Sequence, residues 1–427
     1  MTTVPSALLR IADPALGLYF RPGRNDHTTV LAALAGGPPA FQGAVLDASH
    51  EARHRELRLQ LKNRGYEVVL DPMTLELATE GGWERDGLRS LEWAGKSRHV
   101  ASQFVGGGVA DLADPVAKFA VEKRYSGVLA PTHYVDGFGD PWWKVDRRAT
   151  TRLRTQLDSA GRSDVPIYYR LAIARQALLD HAQRLAIVHS LADLPIDAVW
   201  LCLHPVSSRS GPIVLRSYLE ICHDLAAIGR PLVAERAGFL GLALLGFNAV
   251  GAIESGISLG QSFDIGRLVR PPKKRDPDDE IFGPQARVYL ERLGITLTRK
   301  EAASFFEAKG MKRRFACQDR NCCRSWRDMI DDPRRHFVYT RASEVAAISS
   351  VPAHDRPTMC LDWIRNASDA AVHAARFDRL KFEGEKRRLD GWRMALTDAA
   401  ERREFAVSVR APDGRRASSD SSRARLH

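Results

Sequence analysis

Runs of consecutive apolar residues recur through the first 260 positions without polar alternation. They read "GLYF" (17–20), "GAVLDA" (43–48), "EVVLDP" (67–72), "GVLAPTHY" (127–134), "PIYYRLAI" (166–173), "AVWLCLHP" (198–205), "PLVAERAG" (231–238) and "AVGAIESG" (249–256). Strands covered on both faces carry this signature. The segments between them switch to helical spacing. Leu178, Ala182, Leu185 and His189 share one face in "ALLDHAQRLAIVHSL", and Leu215, Leu219, Cys222 and Leu225 share one in residues 212–228. Gly65 and Gly229 stand where helix stops belong. Eight strands alternating with helices predict an α/β chain, a (β/α)8 barrel over residues 1–266. The rival is an open doubly wound sheet. The count closing at eight, and the absence of a G-x-G-x-x-G turn after the first strands, favour the barrel.

A barrel places its chemistry at the carboxyl ends of the strands. Here those ends read Arg21, Asp47, Asp71, Thr132, His133, Arg170, His204, Glu235, Arg236 and Glu254. Charges gathered there must pair or work, because burial alone disfavours them. The long connection between the third and fourth strands holds "FVGGGVADL", whose Gly106–Gly108 suit a mobile lid or a plain surface loop. After the fourth strand, "VDGFGDPWWK" sets Trp142 and Trp143 beside Lys144. Such rings either stack a base or anchor their loop.

Beyond Asp264 the pattern breaks. "RLVRPPKKRDPDDE" reads as a linker or an exposed basic ridge, and amphipathic stretches such as "TRKEAASFFEAKG" follow it. Residues 267–400 form a basic, mainly helical extension, and 401–427, rich in Arg and Ser, read as a disordered tail. Residues 1–266 carry 28 basic and 28 acidic side chains, and residues 267–427 carry 35 and 24, so the whole net charge of +11 lies in the extension. A neutral body with a basic appendage suggests a polyanionic partner, most simply nucleic acid. No run of 18 apolar residues occurs, and the N-terminal stretch lacks a basic start followed by an apolar core. A cytoplasmic protein is the expectation, in which clustered cysteines more often bind metal than pair.

Three of the six cysteines crowd into "FACQDRNCCRSWRDMIDDPRRHF". Cys317, Cys322, Cys323 and His336 supply the three thiolates and one imidazole of a closed tetrahedral zinc site. Adjacent side chains leave the backbone in different directions, so the spacing leaves open whether Cys360 or His354 replaces one of the pair. Arg313, Arg314, Arg320, Arg324 and Arg327 surround this knot.

A barrel followed by such a segment resembles the tRNA-guanine transglycosylase superfamily. The resemblance is architectural over most of the chain and rests on motifs at the Cys/His knot and at "SFDIGRLVRPP". It implies exchange of a guanine for a 7-deazaguanine in tRNA or DNA, with Asp264 as nucleophile and Asp71 as acid/base. Asp47 or Glu254 would hold the base edge, with His133, Arg170, Glu235 and Trp142 around the substrate and Zn2+ structural. The family pattern C-x-C-x2-C is replaced here by C-x4-C-C, and the Asp-Ser-Gly-Gly-Phe-Gln segment is missing. Two other readings stand beside it. One is a metal-dependent hydrolase or lyase of a small molecule, using Asp47, His50, His133, His204 and Glu235. The other is a non-catalytic nucleic-acid-binding barrel.

Overall fold

A computed structural model describes residues 16–37, 39–85, 87–258, 260–270 and 286–402. The first eight long strands are β1 (Gly17–Arg21), β2 (Gly43–Asp47), β3 (Glu67–Asp71), β4 (Gly127–Leu129), β5 (Ile167–Ala174), β6 (Ala198–His204), β7 (Leu232–Glu235) and β8 (Ala252–Gly256). All pair in parallel, in the order β4-β3-β2-β1-β8-β7-β6-β5, and β4 pairs back onto β5 to close the ring. This is the expected (β/α)8 barrel. The "GVLAPTHY" run is shorter than expected: β4 ends at Leu129, and Tyr134–Val135 adds a two-residue strand beside the end of β5.

Period-two geometry sends alternate side chains to the axis. Tyr19, Val45, Val69, Tyr168, Trp200, Val233 and Ala252 form an apolar plug inside the ring. Glu67 sits at its lower side and accepts from the hydroxyls of Tyr19 (2.7 Å) and Tyr168 (2.5 Å). Two residues further along the same strands come Arg21, Asp47, Asp71, Arg170, Glu235 and Glu254, so the layer above the plug is charged.

The helices that wrap the ring are α1 (His27–Ala35), α2 (Glu51–Asn63), α3 (Val109–Glu122), α4 (Pro141–Ser159), α5 (His181–Ala192), α6 (Pro212–Leu225) and α7 (Gly238–Gly246). In α6 the expected stripe Leu215, Leu219, Cys222 and Leu225 is buried. In α5 it is not. Ile187, Val188 and Leu191 face inward while Leu185 is exposed, because the helix starts only at His181, after the turn holding Leu178. Gly65 and Gly229 end their helices at φ 81° and 72°, a conformation that favours glycine.

The connection between β3 and β4 is tied down at several points. Trp93 donates to the Pro72 carbonyl (2.8 Å), His99 meets the Trp93 carbonyl (3.0 Å), and Gly106–Gly108 form a 3-10 turn that leads into α3.

After α8 (Ile265–Val269), the extension begins with an antiparallel hairpin of β9 (Val288–Leu290) and β10 (Ile295–Leu297). Six helices follow: α9 (Arg299–Glu307), α10 (Met311–Phe315), α11 (Trp326–Asp331), α12 (Pro333–Ser349), α13 (Arg356–Ala374) and α14 (Arg379–Arg402). The lobe shares one continuous apolar core with the barrel helices. Most of the basic linker and the tail from residue 403 lie outside the described residues. No helix among the described residues is long and apolar enough to cross a membrane.

Candidate functional sites at the barrel mouth and in the basic lobe

Arg21 is the hub of the mouth. Its guanidinium lies 2.8 Å from Asp47, 2.5 Å from Asp71, 3.3 Å from Glu254 and 3.5 Å from Glu235. Arg170 grips Glu235 with two nitrogens, at 2.9 and 2.5 Å, and reaches Asp71 at 3.3 Å. With Arg236 at 3.8 Å from Glu235, the network sets three guanidiniums against four carboxylates, and all of these except Arg236 are buried. Desolvation outweighs Arg21 at Glu254 and pushes its carboxyl up to about 7. The opposite holds at Asp71, where Arg21 and Arg170 overcome burial and draw the carboxyl down to about 2. Burial also raises Glu76, reached from the 72–126 segment.

Above this layer the mouth is half plugged. Leu75, Ala172, Cys202, Phe263 and Leu268 form an apolar cluster over β5 and β6. A cavity of about 330 Å³ opens over β1, β7 and β8. Arg21, Arg24, Arg236 and Arg334 line it, against Asp26 and Asp47. Its walls are conformationally specialised. Arg236 (φ 51°) and Ser258 (φ 64°) occupy the left-handed region that non-glycine residues rarely adopt, and such strain gathers at functional sites. The 256–260 wall folds back so tightly that a Cβ at Gly256 would lie 2.4 Å from the Gly260 carbonyl oxygen. Ser258 is tied to the backbone amide of Arg287 (2.9 Å), and Arg334, from the first turn of α12, pairs with Asp26 at 2.8 Å.

The two residues expected to catalyse have different surroundings. Asp71 is locked in ion pairs, with its carboxyl far too acidic to shuttle protons near neutrality. Asp264 is exposed at the N-terminus of five-residue α8, where its carboxylate accepts from the Gly266 amide (3.0 Å). Of the expected substrate residues, Asp47, Arg170, Glu235 and Glu254 share the network, and Asp47 faces the cavity. His133 is buried beside Asp146 (Nδ1 to Oδ1, 2.7 Å). Trp142 stacks on His133 with centroids 3.5 Å apart, so the imidazole already occupies the face expected to take a base. Trp143 anchors its loop by donating to Ser190 (3.0 Å). Arg24, Asp26, Arg334 and Glu76 were not anticipated. The first two lie in the turn-rich "RPGRND" after β1, whose signals mark a mouth loop; Arg334 reaches the mouth only through tertiary docking.

In the lobe, Cys317, Cys322, Cys323 and His336 place one ligand atom each within 4.8 Å of one another. The Cys322 and Cys323 sulfurs are 3.6 Å apart and lie 3.3 and 3.5 Å from His336 Nδ1. A tetrahedral zinc ion requires about 3.8 Å between sulfurs and about 3.6 Å between sulfur and nitrogen, so the donors fit one ion. Both adjacent cysteines contribute because Asp319 builds the turn: its carbonyl accepts from the amides of Cys322 (3.2 Å) and Cys323 (2.8 Å). His336 Nε2 meets the Tyr289 carbonyl (3.0 Å), which turns Nδ1 toward the thiols in the manner of outer-shell metal support. Cys360 is buried against Gly246 and His354 is exposed beside Asp355, so neither replaces a member of the four. Among the described residues no other His, Cys or carboxylate group converges in this way, which leaves the metal-dependent mouth (Asp47, His50, His133, His204, Glu235) without a shared centre. His50 Nδ1 stays 3.8 Å from Asp47.

No protein-family model matches the chain, and no curated protein matches it in sequence. Solved structures do. One is a GH10 xylanase from Bispora sp. MEY-1 with xylobiose, 8% identical, TM-score 0.37, covering 55% of this chain and 82% of the xylanase. Another is the endo-1,4-beta-xylanase XylE of Penicillium canescens, 10% identical, TM-score 0.35, covering 55% and 81%. Base exchange through Asp264 and Asp71 is not supported: Asp71 is held in ion pairs by Arg21 and Arg170, whereas Asp264 is exposed and caps α8.

Proposed function

We propose that the protein is a barrel enzyme for a phosphate-bearing substrate, with a structural zinc in its basic lobe. The observation that carries this reading is the four-arginine cavity over β1, β7 and β8. Barrels commonly bind phosphate in the loops after the seventh and eighth strands. Guanidinium forks match phosphate oxygens in pairs of hydrogen bonds. Arg24, Arg236 and Arg334 would hold the anion. Asp47, the network carboxylate that lines the same cavity, is the group placed to accept a substrate proton. Zinc suits the three thiols and one imidazole in the lobe, and four protein ligands leave it no open position for catalysis.

Calorimetric titration of the metal-loaded chain with inorganic phosphate, sugar phosphates and nucleoside monophosphates tests the reading. Saturable binding to at least one of them, weakened about tenfold by Arg236→Gln, is expected. Equal affinity of wild type and variant, or no binding at all, would remove the mouth as the phosphate site.

A further inference from the structure

We infer that a second cavity, in the lobe, is a docking site for the phosphodiester backbone of a nucleic acid. This cavity, of about 400 Å³, opens between the α9–α10 turn and the end of α13. Lys309, Arg313, Arg314, His373 and Arg376 line it, and among the described residues no carboxylate does.

That composition is unusual within this molecule. Several arginines elsewhere are matched to acids: Arg209 to Glu385 (2.5 Å), Arg152 to Asp114 (2.7 Å) and Arg184 to Asp224 (2.6 Å). A neighbouring cavity beside Cys322 contains Arg320, Arg324 and Arg335, but also Asp328, Asp331 and Asp332. The negative end of α13 balances part of the charge on His373 and Arg376. Arg313 and Arg314 stand in the last turn of the short α10, and among the described residues neither they nor Lys309 has a salt bridge to a carboxylate. Like charges held around one hollow repel, and an anion entering it relieves that repulsion.

The cavity is also rigid. Met311 and Phe315 bury the other side of α10. Phe305 of α9 packs on Phe315 (5.1 Å) and on Phe377 just beyond α13 (5.4 Å), so one ring ties both basic walls together. Fixed walls spare the bound state the ordering of loops. The residues from 267 onward hold the entire +11 of the chain, which extends the attraction beyond one phosphate to a polymer. Exposed cations around a hollow suit the phosphates of a nucleic-acid backbone, to which most protein–DNA hydrogen bonds are made.

The test is fluorescence anisotropy with labelled RNA and DNA oligonucleotides, single- and double-stranded, across a salt series. It compares the metal-loaded chain with a triple variant Arg313→Gln, Arg314→Gln, Arg376→Gln. All three side chains are exposed, and far-UV circular dichroism with metal content verifies the fold. Removing three phosphate contacts is expected to lower the slope of log K against log salt by about 2–3 and to weaken binding about 30- to 100-fold near 0.15 M salt. Arg236→Gln is expected to leave that slope unchanged, so failure here and failure of the mouth reading are distinguishable. A triple variant with wild-type slope overturns the inference. So does a wild-type chain that ignores every oligonucleotide yet binds phosphatidylserine vesicles, which would assign the hollow to a membrane surface.

Discussion

The barrel mouth and the Cys/His knot are both buried clusters of groups that water would otherwise solvate, yet they solve the problem in opposite ways. At the mouth, charges of both signs are present, and Arg21 and Arg170 each touch more than one carboxylate. The site is nearly self-neutralising, and its excess of acid shows up as a carboxyl at Glu254 pushed up to about 7, first by desolvation. The knot holds no cation of its own. Four soft donors aim at one point with the spacing of a metal's first sphere. Internal pairing makes a framework on which a ligand can rest, whereas three thiols and an imidazole converging on one point make a group that could hold a metal ion.

The largest test of this contrast is Arg21→Met. Losing the hub leaves Asp47, Asp71 and Glu254 facing one another, and denaturant unfolding should show a loss of about 3–5 kcal/mol. A loss under about 1 kcal/mol would mean that the mouth is not self-neutralised through Arg21. Next comes metal removal. With free zinc a thousandfold above Kd, chelation should lower stability by up to about 4 kcal/mol. Elemental analysis should give one zinc per chain, lost in Cys322→Ser. Hydrogen exchange should rise in the lobe before the barrel strands; a chelator without effect on either would reduce the knot to packing.

Glu254→Gln sharpens the mouth further. A carboxyl whose folded pKa exceeds its unfolded value contributes stability at low pH, lost as pH climbs from about 4.5 to about 7. The wild type should therefore lose about 3 kcal/mol across that window relative to the glutamine variant. Glu344, pushed up to about 7 by burial, slopes the same way in both proteins and cancels in the difference. Matched slopes would show that Glu254 titrates normally. The smallest effect belongs to Arg334→Gln, which should weaken phosphate binding at the mouth about tenfold, about 1.4 kcal/mol, without changing metal content.

Much of this was legible in the chain and some could not be. The eight apolar runs revealed the barrel because a strand covered on both faces has no polar face to show. Period two then fixed which residues enter the charged layer, so Arg21, Asp71, Arg170, Glu235 and Glu254 were readable as strand ends. Their partners were not, since whether Asp71 works as an acid depends on guanidiniums arriving from β1 and β5. Asp264 read as a nucleophile because its neighbours matched a motif, while its actual setting, the exposed start of a short helix, is a property of the turn before it. At Cys322 and Cys323 the adjacency argued against joint ligation, and the Asp319 turn, which reconciles them, leaves little trace in spacing. The α5 stripe failed because the helix begins later than the apolar pattern does.

The opening turn of α12 carries Arg334 toward Asp26 and, two residues on, His336 toward the thiols. One coil of backbone is thus anchored at two ends of the protein's chemistry, like an axle shared by two wheels. The guanidinium that lines the mouth cavity and the imidazole that faces the thiols therefore leave the same turn of helix, so one short stretch of backbone sets the starting point of both.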